Sequence, residues 1–473
     1  MSCEERSCLS KLVDWLIDRL GIRSFTELKV NRHTLHPLYS LGGLTTMMFA
    51  LNAITGVLLL MFYVPVFGES NIAYDSIVRI MEEVAYGSVI RSIHNYSANL
   101  MILLSMLHFL RVYFMGAYKR PHELTYVIGI FAGLLAILCG VTGYSLRMDH
   151  IAAEAIRIGS TLVMSMPGGK WIAPLIYGTG TFDEILGRYF GFHILIAGLI
   201  AILMLLHFLM VHEHHSSPPY DGSEPEPAVP FFPNHIMTEI SAIFVVLGSL
   251  IMLSAAFPAE LGQKFLPTET LPVGQPEWYL MAIYAGIKTG VDPFLAFAVV
   301  PGILLIVLVL MPWIDPVYSR HPRNRRIATL YGSILLGEFV VFTIYGILTP
   351  GQEIPILNAL LVALVTAIAI GLPVSKYTSK PAPIRRGKKM KRVRHMPLII
   401  NQGAYILLIL LAIQLVSLIL GLNAHFQEQY ARASIYFGIS TIAFGWMSFV
   451  AKVVTLDVPY ITRPLSRSEL GTK

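Results

Sequence analysis

Long apolar runs alternate along this chain with short polar or proline-rich connections. Ten runs are long enough to cross a bilayer as helices, at approximately residues 36–63, 89–114, 124–147, 188–212, 236–257, 293–313, 327–348, 355–375, 397–421 and 433–454. Ahead of them, within residues 1–35, KLVDWLIDRLG mixes apolar and charged positions with a helical period. That pattern predicts an amphipathic helix lying on the membrane surface, not a secretory signal. Two connections, 148–187 and 258–292, are long and rich in Gly and Pro, which marks them as functional loops. The proline-rich HHSSPPYDGSEPEPAVPFFP closes a four-helix first part, 36–225. A second part covers 226–376, and a third, 377–473, holds a polybasic linker and two additional spans. The expected fold class is an all-α polytopic membrane protein: a four-helix bundle plus further transmembrane helices, about ten spans in all.

Composition supports this reading. Of 473 residues, 55% are hydrophobic and only 14% charged, which excludes a soluble enzyme or a nucleic-acid-binding domain. The net charge of +6 is concentrated in three connections: RVYFMGAYKR after the second span, YSRHPRNRR after the sixth and KYTSKPAPIRRGKKMKRVRH after the eighth. The positive-inside rule makes these loops and both termini cytoplasmic, in a multi-pass plasma-membrane protein. The densest run anchors topology and is also suited to anionic lipid headgroups. The three cysteines, Cys3, Cys8 and Cys139, form no CxxC or CxxCH motif, so neither zinc, iron–sulfur nor covalent c-type haem ligation is expected.

The chemistry lies in the second and fourth spans. RSIHNYSANLMILLSMLHFLR carries His94 and His108, and RYFGFHILIAGLIAILMLLHFLMVH carries His193 and His207; each pair is 14 residues apart. Almost four helical turns separate the two histidines of each helix, so both imidazoles lie on nearly one face, roughly 21 Å apart along the axis. Ionisable groups inside spans are costly and usually face a site. Pairing the helices matches His94 with His193 and His108 with His207, and two stacked bis-imidazole sites suit two haems. Gly42 and Gly56 in the first span, and Gly129 and Gly143 in the third, repeat the 14-residue spacing. They are expected to open gaps where backbone approaches a flat macrocycle.

Several pieces together resemble the cytochrome b family, the membrane subunit of quinol:cytochrome c reductases and related complexes, over roughly residues 30–375. They are the double His-x13-His pattern, Arg91 before His94, Arg111 after His108, GAYKRPHELTY at 116–126 and PEWY at 276–279. The resemblance implies two haems, b-type, with an a-type variant also compatible with bis-histidine ligation. His94 and His193 would hold the outer haem and His108 and His207 the inner one, with Arg91, Arg111 and Arg188 neutralising propionates. It implies an outer quinol site with Glu277 as proton acceptor and Tyr284 as a hydrogen-bonding partner. An inner quinone site would use His212 and Glu239, although His214 and His215 lie close by. Quinol oxidised outside would send one electron to a separate Rieske iron–sulfur protein. The other would cross through both haems to the inner quinone, contributing to a proton gradient. Further partners implied are a cytochrome or terminal oxidase, membrane lipid and a second copy of the complex.

Two features depart from the family. After the third span the usual Leu-Pro-Trp-Gly segment is replaced by GYSLRMDH, which includes Arg147 and His150. Two spans follow residue 396, beyond the usual eight, and point to a divergent, archaeal-type lineage. Neither contains a histidine within the expected limits, so contact with another subunit or lipid is expected. Glu338, inside the seventh span, faces either a proton path or a neighbour. Two other classes were weighed: a di-haem membrane anchor of a dehydrogenase, and a haem-free proton-coupled transporter. The first needs fewer spans and lacks PEWY; the second typically shows paired broken helices, which are absent from this sequence.

Overall fold

The structure is a computed structural model that describes residues 15, 18–19, 29–31, 34, 36–217, 228–266, 274–382 and 397–454. Of the surface helix expected in residues 1–35, Trp15, Asp18 and Arg19 are described, all helical and exposed, and most of the polybasic linker lies outside the described residues. The described helices are α1 (Leu41–Leu60), α2 (Ile72–Glu82), α3 (Gly87–Phe114), α4 (Glu123–Ser145), α5 (His150–Ser165), α6 (Gly169–Tyr177) and α7 (Phe182–His214). They continue with α8 (Ile236–Ala256), α9 (Met281–Ile287), α10 (Val300–Ile314), α11 (Arg326–Leu348), α12 (Ile356–Thr378), α13 (Pro397–Phe426) and α14 (Tyr430–Lys452). One short antiparallel pair, β1 (Lys29–Asn31) with β2 (Ala228–Pro230), accompanies them.

Ten of these elements are long and apolar enough to cross a membrane, each beginning and ending within six residues of the expected span. The agreement has a physical cause. In hydrocarbon every backbone N–H and C=O must be satisfied internally, so a spanning segment is one continuous apolar helix. The last pair differs slightly, because α13 runs to Phe426 and therefore includes His425.

The chain forms two compact units. One comprises residues 1–47, 223–257 and 385–473; the other comprises 48–222 and 258–384. The grouping does not follow sequence order, since α8 clusters with α13 and α14 and not with α9–α12. In the larger unit α4 packs along α7, α3 along α4, and α11 along α9 and α12. The connection 148–187 is not an open loop. It folds into α5 and α6, which pack on each other. In α5 the buried positions Ala152, Ala153, Ile156 and Leu162 recur on one face, as an amphipathic helix requires. Of these, Ala153 and Ile156 join Phe67, Met148, Tyr177, Leu186, Tyr189 and Phe265 in an apolar core at the His94 end of the bundle.

The opposite end is locked by a buried ionic network. Asp315, after α10, lies 3.0 Å from Lys119 Nζ and accepts a 2.7 Å hydrogen bond from the Tyr118 hydroxyl. Arg325, 1% exposed, donates to Tyr118 Oη and to the carbonyls of Tyr113 and Phe114 at the end of α3. Gly116 adopts φ +60°, and a Cβ there would meet the Arg325 guanidinium at 3.1 Å, so glycine is required on both counts. This network gives GAYKRPHELTY its structural meaning: Tyr118 and Lys119 tie the α3–α4 turn to the α10–α11 turn. Burial lowers the Lys119 pKa, opposed by Asp315. Nearby His122 is pushed down to about 4 by burial, with Arg320 and His214 adding to the effect, so it is neutral at physiological pH.

Removing Asp315 strands two cations in this pocket. Asp315→Ala is expected to destabilise the protein by about 3–5 kcal/mol. Thermal loss of helicity in detergent checks this; a loss below about 1 kcal/mol would show that the network is solvated.

Candidate functional site

The four span histidines meet in two pairs. His94 and His193 have ring centroids 6.4 Å apart with planes at 66°, and His108 and His207 have centroids 6.4 Å apart with planes at 76°. The equal separations follow from the matched spacing on two helices that share the bundle.

Hydrogen bonding fixes the rings from behind. The Thr55 hydroxyl donates to Leu51 O at 2.7 Å, so its lone pair receives His94 Nδ1–H at 3.0 Å. His193 Nδ1 donates to Cys139 O at 3.1 Å and lies 3.1 Å from Thr142 Oγ1. His207 Nδ1 donates to Thr125 O at 2.9 Å. A carbonyl only accepts, so Nδ1 carries the proton and Nε2 keeps a free lone pair, the state a metal ligand requires. His108 Nδ1 is buried and has no hydrogen-bond partner among the described residues.

Three of the four glycines lie against imidazoles. A Cβ at Gly56 would meet His94 Cε1 at 3.3 Å, one at Gly129 would meet His207 Cε1 at 3.2 Å, and one at Gly143 would meet His193 Cε1 at 2.9 Å. They therefore seat imidazoles against α1 and α4, letting Nδ1 reach backbone or hydroxyl acceptors. Gly42 lies in the first turn of α1.

The residues fit a metal held axially by two imidazoles. With nitrogen–metal bonds of about 2 Å and each centroid ~1.1 Å behind its nitrogen, two collinear rings would lie roughly 6.3 Å apart. Among the described residues no group of three or more His, Cys, Asp or Glu forms a cage for a bare ion. Two protein ligands per site suit a metal whose other ligands belong to a cofactor.

The arginines are engaged by protein groups. Arg91 is 7% exposed and donates to Ala259 O at 2.6 Å and Glu260 O at 3.2 Å. Arg188 pairs with Glu184 one turn earlier, at 2.9 Å. Arg111 occupies the last turn of α3.

At the His94 end, a cavity of about 580 Å³ is lined by Arg147, His150, Glu277, Trp278, Met281 and Pro350, among others. That volume is typical of small-molecule sites. Trp278 Nε1 donates to Asn99 Oδ1 at 2.9 Å, which fixes the turn presenting Glu277 against α3. Tyr284 is buried beside this wall with the Lys288 ammonium 4.6 Å from its ring centroid, and it does not line the cavity. The unusual RMDH segment is firmly built. Asp149 caps α5 through Ala152 N at 2.9 Å, accepts from Gly262 N at 3.2 Å and pairs with Arg147 at 3.4 Å. Asn71 Nδ2 binds Met148 O and Phe265 O. These bonds hold Arg147 and His150 on the cavity wall, positions the sequence marked only as a departure.

His212 lies in the last turn of α7, in the larger unit, whereas Glu239 lies on α8 in the smaller one. Of the neighbouring histidines, His214 meets His122 edge-on at 6.1 Å. Around Glu239 the sequence reading missed His235, whose Nε2 lies 3.7 Å from Glu239 Oε1. Their i, i+4 spacing on α8 was the available signal. Glu338 has a buried Oε2 without a hydrogen-bond partner among the described residues.

Comparison with known proteins accounts for this arrangement. Residues 99–264 match the family model described as cytochrome b (N-terminal)/b6/petB, and residues 267–368 match cytochrome b (C-terminal)/b6/petD. The chain is 31% identical over 330 residues to the cytochrome bc complex cytochrome b subunit of Chlorobaculum thiosulfatiphilum, covering 67% of this chain and 74% of that one. It is 28% identical over 396 residues to cytochrome b of Sulfolobus acidocaldarius, covering 75% and 69% respectively. Cytochrome b6 of Synechococcus elongatus is 36% identical over 217 residues, 45% of this chain and all of that protein. A solved structure titled hyperthermophilic respiratory Complex III shares the fold with TM-score 0.65 at 24% identity, over 78% of this chain and 98% of that one. The family matches and the ten long apolar helices define a membrane electron-transport protein of a haem-binding family. The chain belongs to the cytochrome b family, as a divergent member with α13 and α14 beyond both matched regions.

Gly143→Val is expected to displace His193 and lower bound haem at least severalfold, because a Cβ already stands 2.9 Å from the ring. Gly133→Val on the same helix, where a Cβ meets nothing within 4 Å, should retain full haem. Haem per polypeptide, measured by absorbance, checks both; equal retention would contradict the seating role.

Proposed function

We propose that the chain is the di-haem cytochrome b subunit of a quinol-oxidising respiratory complex. Quinol is oxidised at an outer site beside Glu277, and quinone is reduced at an inner site beside Glu239. The observation that carries this reading is the pair of imidazole pairs at 6.4 Å, stacked along α3 and α7. Bound between them, b-type haem supplies one-electron carriers at two depths of the membrane. The chain's own residues hold that arrangement in place. The acceptors behind Nδ1 orient His94, His193 and His207 and keep each Nε2 basic.

Glu277 stands on the cavity wall, where its carboxylate can take a proton from a quinol hydroxyl. The Trp278–Asn99 hydrogen bond holds the turn that carries Glu277. On the other side, an imidazole and a carboxylate supply protons to the two quinone oxygens. The basic loops orient the molecule so that His108 and His207 lie toward the cytoplasm. Protons are then released outside and taken up inside, contributing to the gradient. The first electron leaves to a Rieske iron–sulfur protein, and the complex contains further cytochrome or oxidase subunits in a dimer. Arg91 and Arg111 on α3 and Arg188 on α7 would offer guanidinium groups to haem propionates, and Tyr284 would hydrogen-bond the quinol.

A redox titration of the reduced-minus-oxidised spectrum tests this reading. Two transitions are expected in the parent, and His108→Leu should lose only the higher-potential one. No haem, or a single haem indifferent to His108, would contradict it. Glu277→Gln should lower quinol oxidation about 100-fold with both haem bands intact. An unchanged rate would remove Glu277 from the outer site.

A further inference from the structure

The last helix, α14, lies outside the matched family regions, yet it is closely pressed on α8. A Cβ at Gly248 would stand 2.5 Å from Gly438 O, and one at Gly445 would stand 2.9 Å from Ser241 O. Glycines on both helices thus allow the backbones to touch, which fixes the register of α14 along α8. That register brings Lys452, at the end of α14, to the start of α8. Lys452 is 6% exposed and donates to Thr238 Oγ1 at 2.8 Å.

Thr238 immediately precedes Glu239. Glu239 Oε2 is buried without a hydrogen-bond partner among the described residues, and so is His235 Nδ1. Glu239 Oε2 rests against α1, where a Cβ at Gly43 would meet it at 2.5 Å. A buried ammonium and a half-buried carboxylate and imidazole therefore meet at the start of α8, with one buried acceptor atom and one buried ring nitrogen left for a ligand. Buried polar atoms are normally satisfied, so such a cluster is the mark of a site whose partner is a substrate or ordered water.

We propose that Lys452 is a positioning residue of the inner quinone site, so that the two additional spans serve the reaction itself. This rests on placing quinone reduction beside Glu239. There two electrons, delivered by the complex from quinol oxidised at the other site, and two protons from the cytoplasmic side convert quinone to quinol, forming two O–H bonds. Acting through Thr238, the Lys452 ammonium fixes the start of α8. It also offsets the Glu239 carboxylate where negative charge arrives on the substrate oxygens.

The test uses the complete complex, with Glu277→Gln as the common background so that the other site is silent. The readout is the initial rate at which the dithionite-reduced complex is reoxidised by a short-chain quinone, resolved into kcat and KM. Lys452→Met is expected to lower kcat about tenfold with KM within about twofold, and Lys452→Arg to restore most of the rate. A Lys452→Met rate within about twofold of the parent overturns the proposal. An equal loss in Lys452→Arg also overturns it, because that pattern marks packing alone. If Lys452→Met does not assemble, Thr238→Val removes the acceptor at constant volume; a kcat lowered about threefold supports the proposal and an unchanged kcat overturns it. Glu239→Gln separates the two claims. If kcat is unchanged in that variant, the inner site itself is misplaced; if it falls while Lys452→Met is unaffected, only the role of Lys452 fails.

Discussion

The anchoring of three of the four imidazoles from behind is the interaction on which the rest of this structure depends. A histidine in hydrocarbon is expensive unless both ring nitrogens are used. Here Nδ1 of three of the four rings reaches a hydroxyl or carbonyl on a neighbouring helix, and Nε2 faces its partner ring. That demand places Gly56, Gly129 and Gly143 opposite the rings, and it holds α1 and α4 close to the helices that carry the histidines. The bundle's geometry and its electron-transfer chemistry thus share one cause.

Around this family core the chain has built two features of its own. At the His94 end, RMDH replaces a hydrophobic family segment with Asp149 as a hub, joining α5, Arg147 and the 259–266 connection. The exchange puts a guanidinium and an imidazole on the wall of the cavity that contains Glu277. In the smaller unit, α13 and α14 extend the protein, with α14 against α8 and a buried lysine at its end. Both additions place charged side chains inside the protein, Arg147 on a cavity wall and Lys452 at the end of α14.

Much of this was legible in the sequence because the membrane simplifies the code. Ten apolar runs became ten helices, since hydrocarbon leaves the backbone few alternatives. The meeting of His94 with His193 and of His108 with His207 followed from the helical repeat alone. Features set by tertiary contact were not legible. Helices α5 and α6 were hidden by their short length and by Gly and Pro. Arg188 has its i, i+4 neighbour Glu184 as its partner, a pair weakly distinguished from any other helix-surface spacing. Lys452 reaches Thr238 across more than two hundred residues, so no local pattern announces it. The spacing of the glycines reveals a close approach but not which group approaches, and only the tertiary structure sets Gly56, Gly129 and Gly143 against imidazoles.

The central claim is that each imidazole pair holds one iron. Anomalous scattering at the iron edge from crystals of the complex tests it most directly. The account predicts two iron peaks within this subunit, one between His94 and His193 and one between His108 and His207, roughly 21 Å apart along the helices. A single peak, or iron lying away from either ring pair, would contradict it.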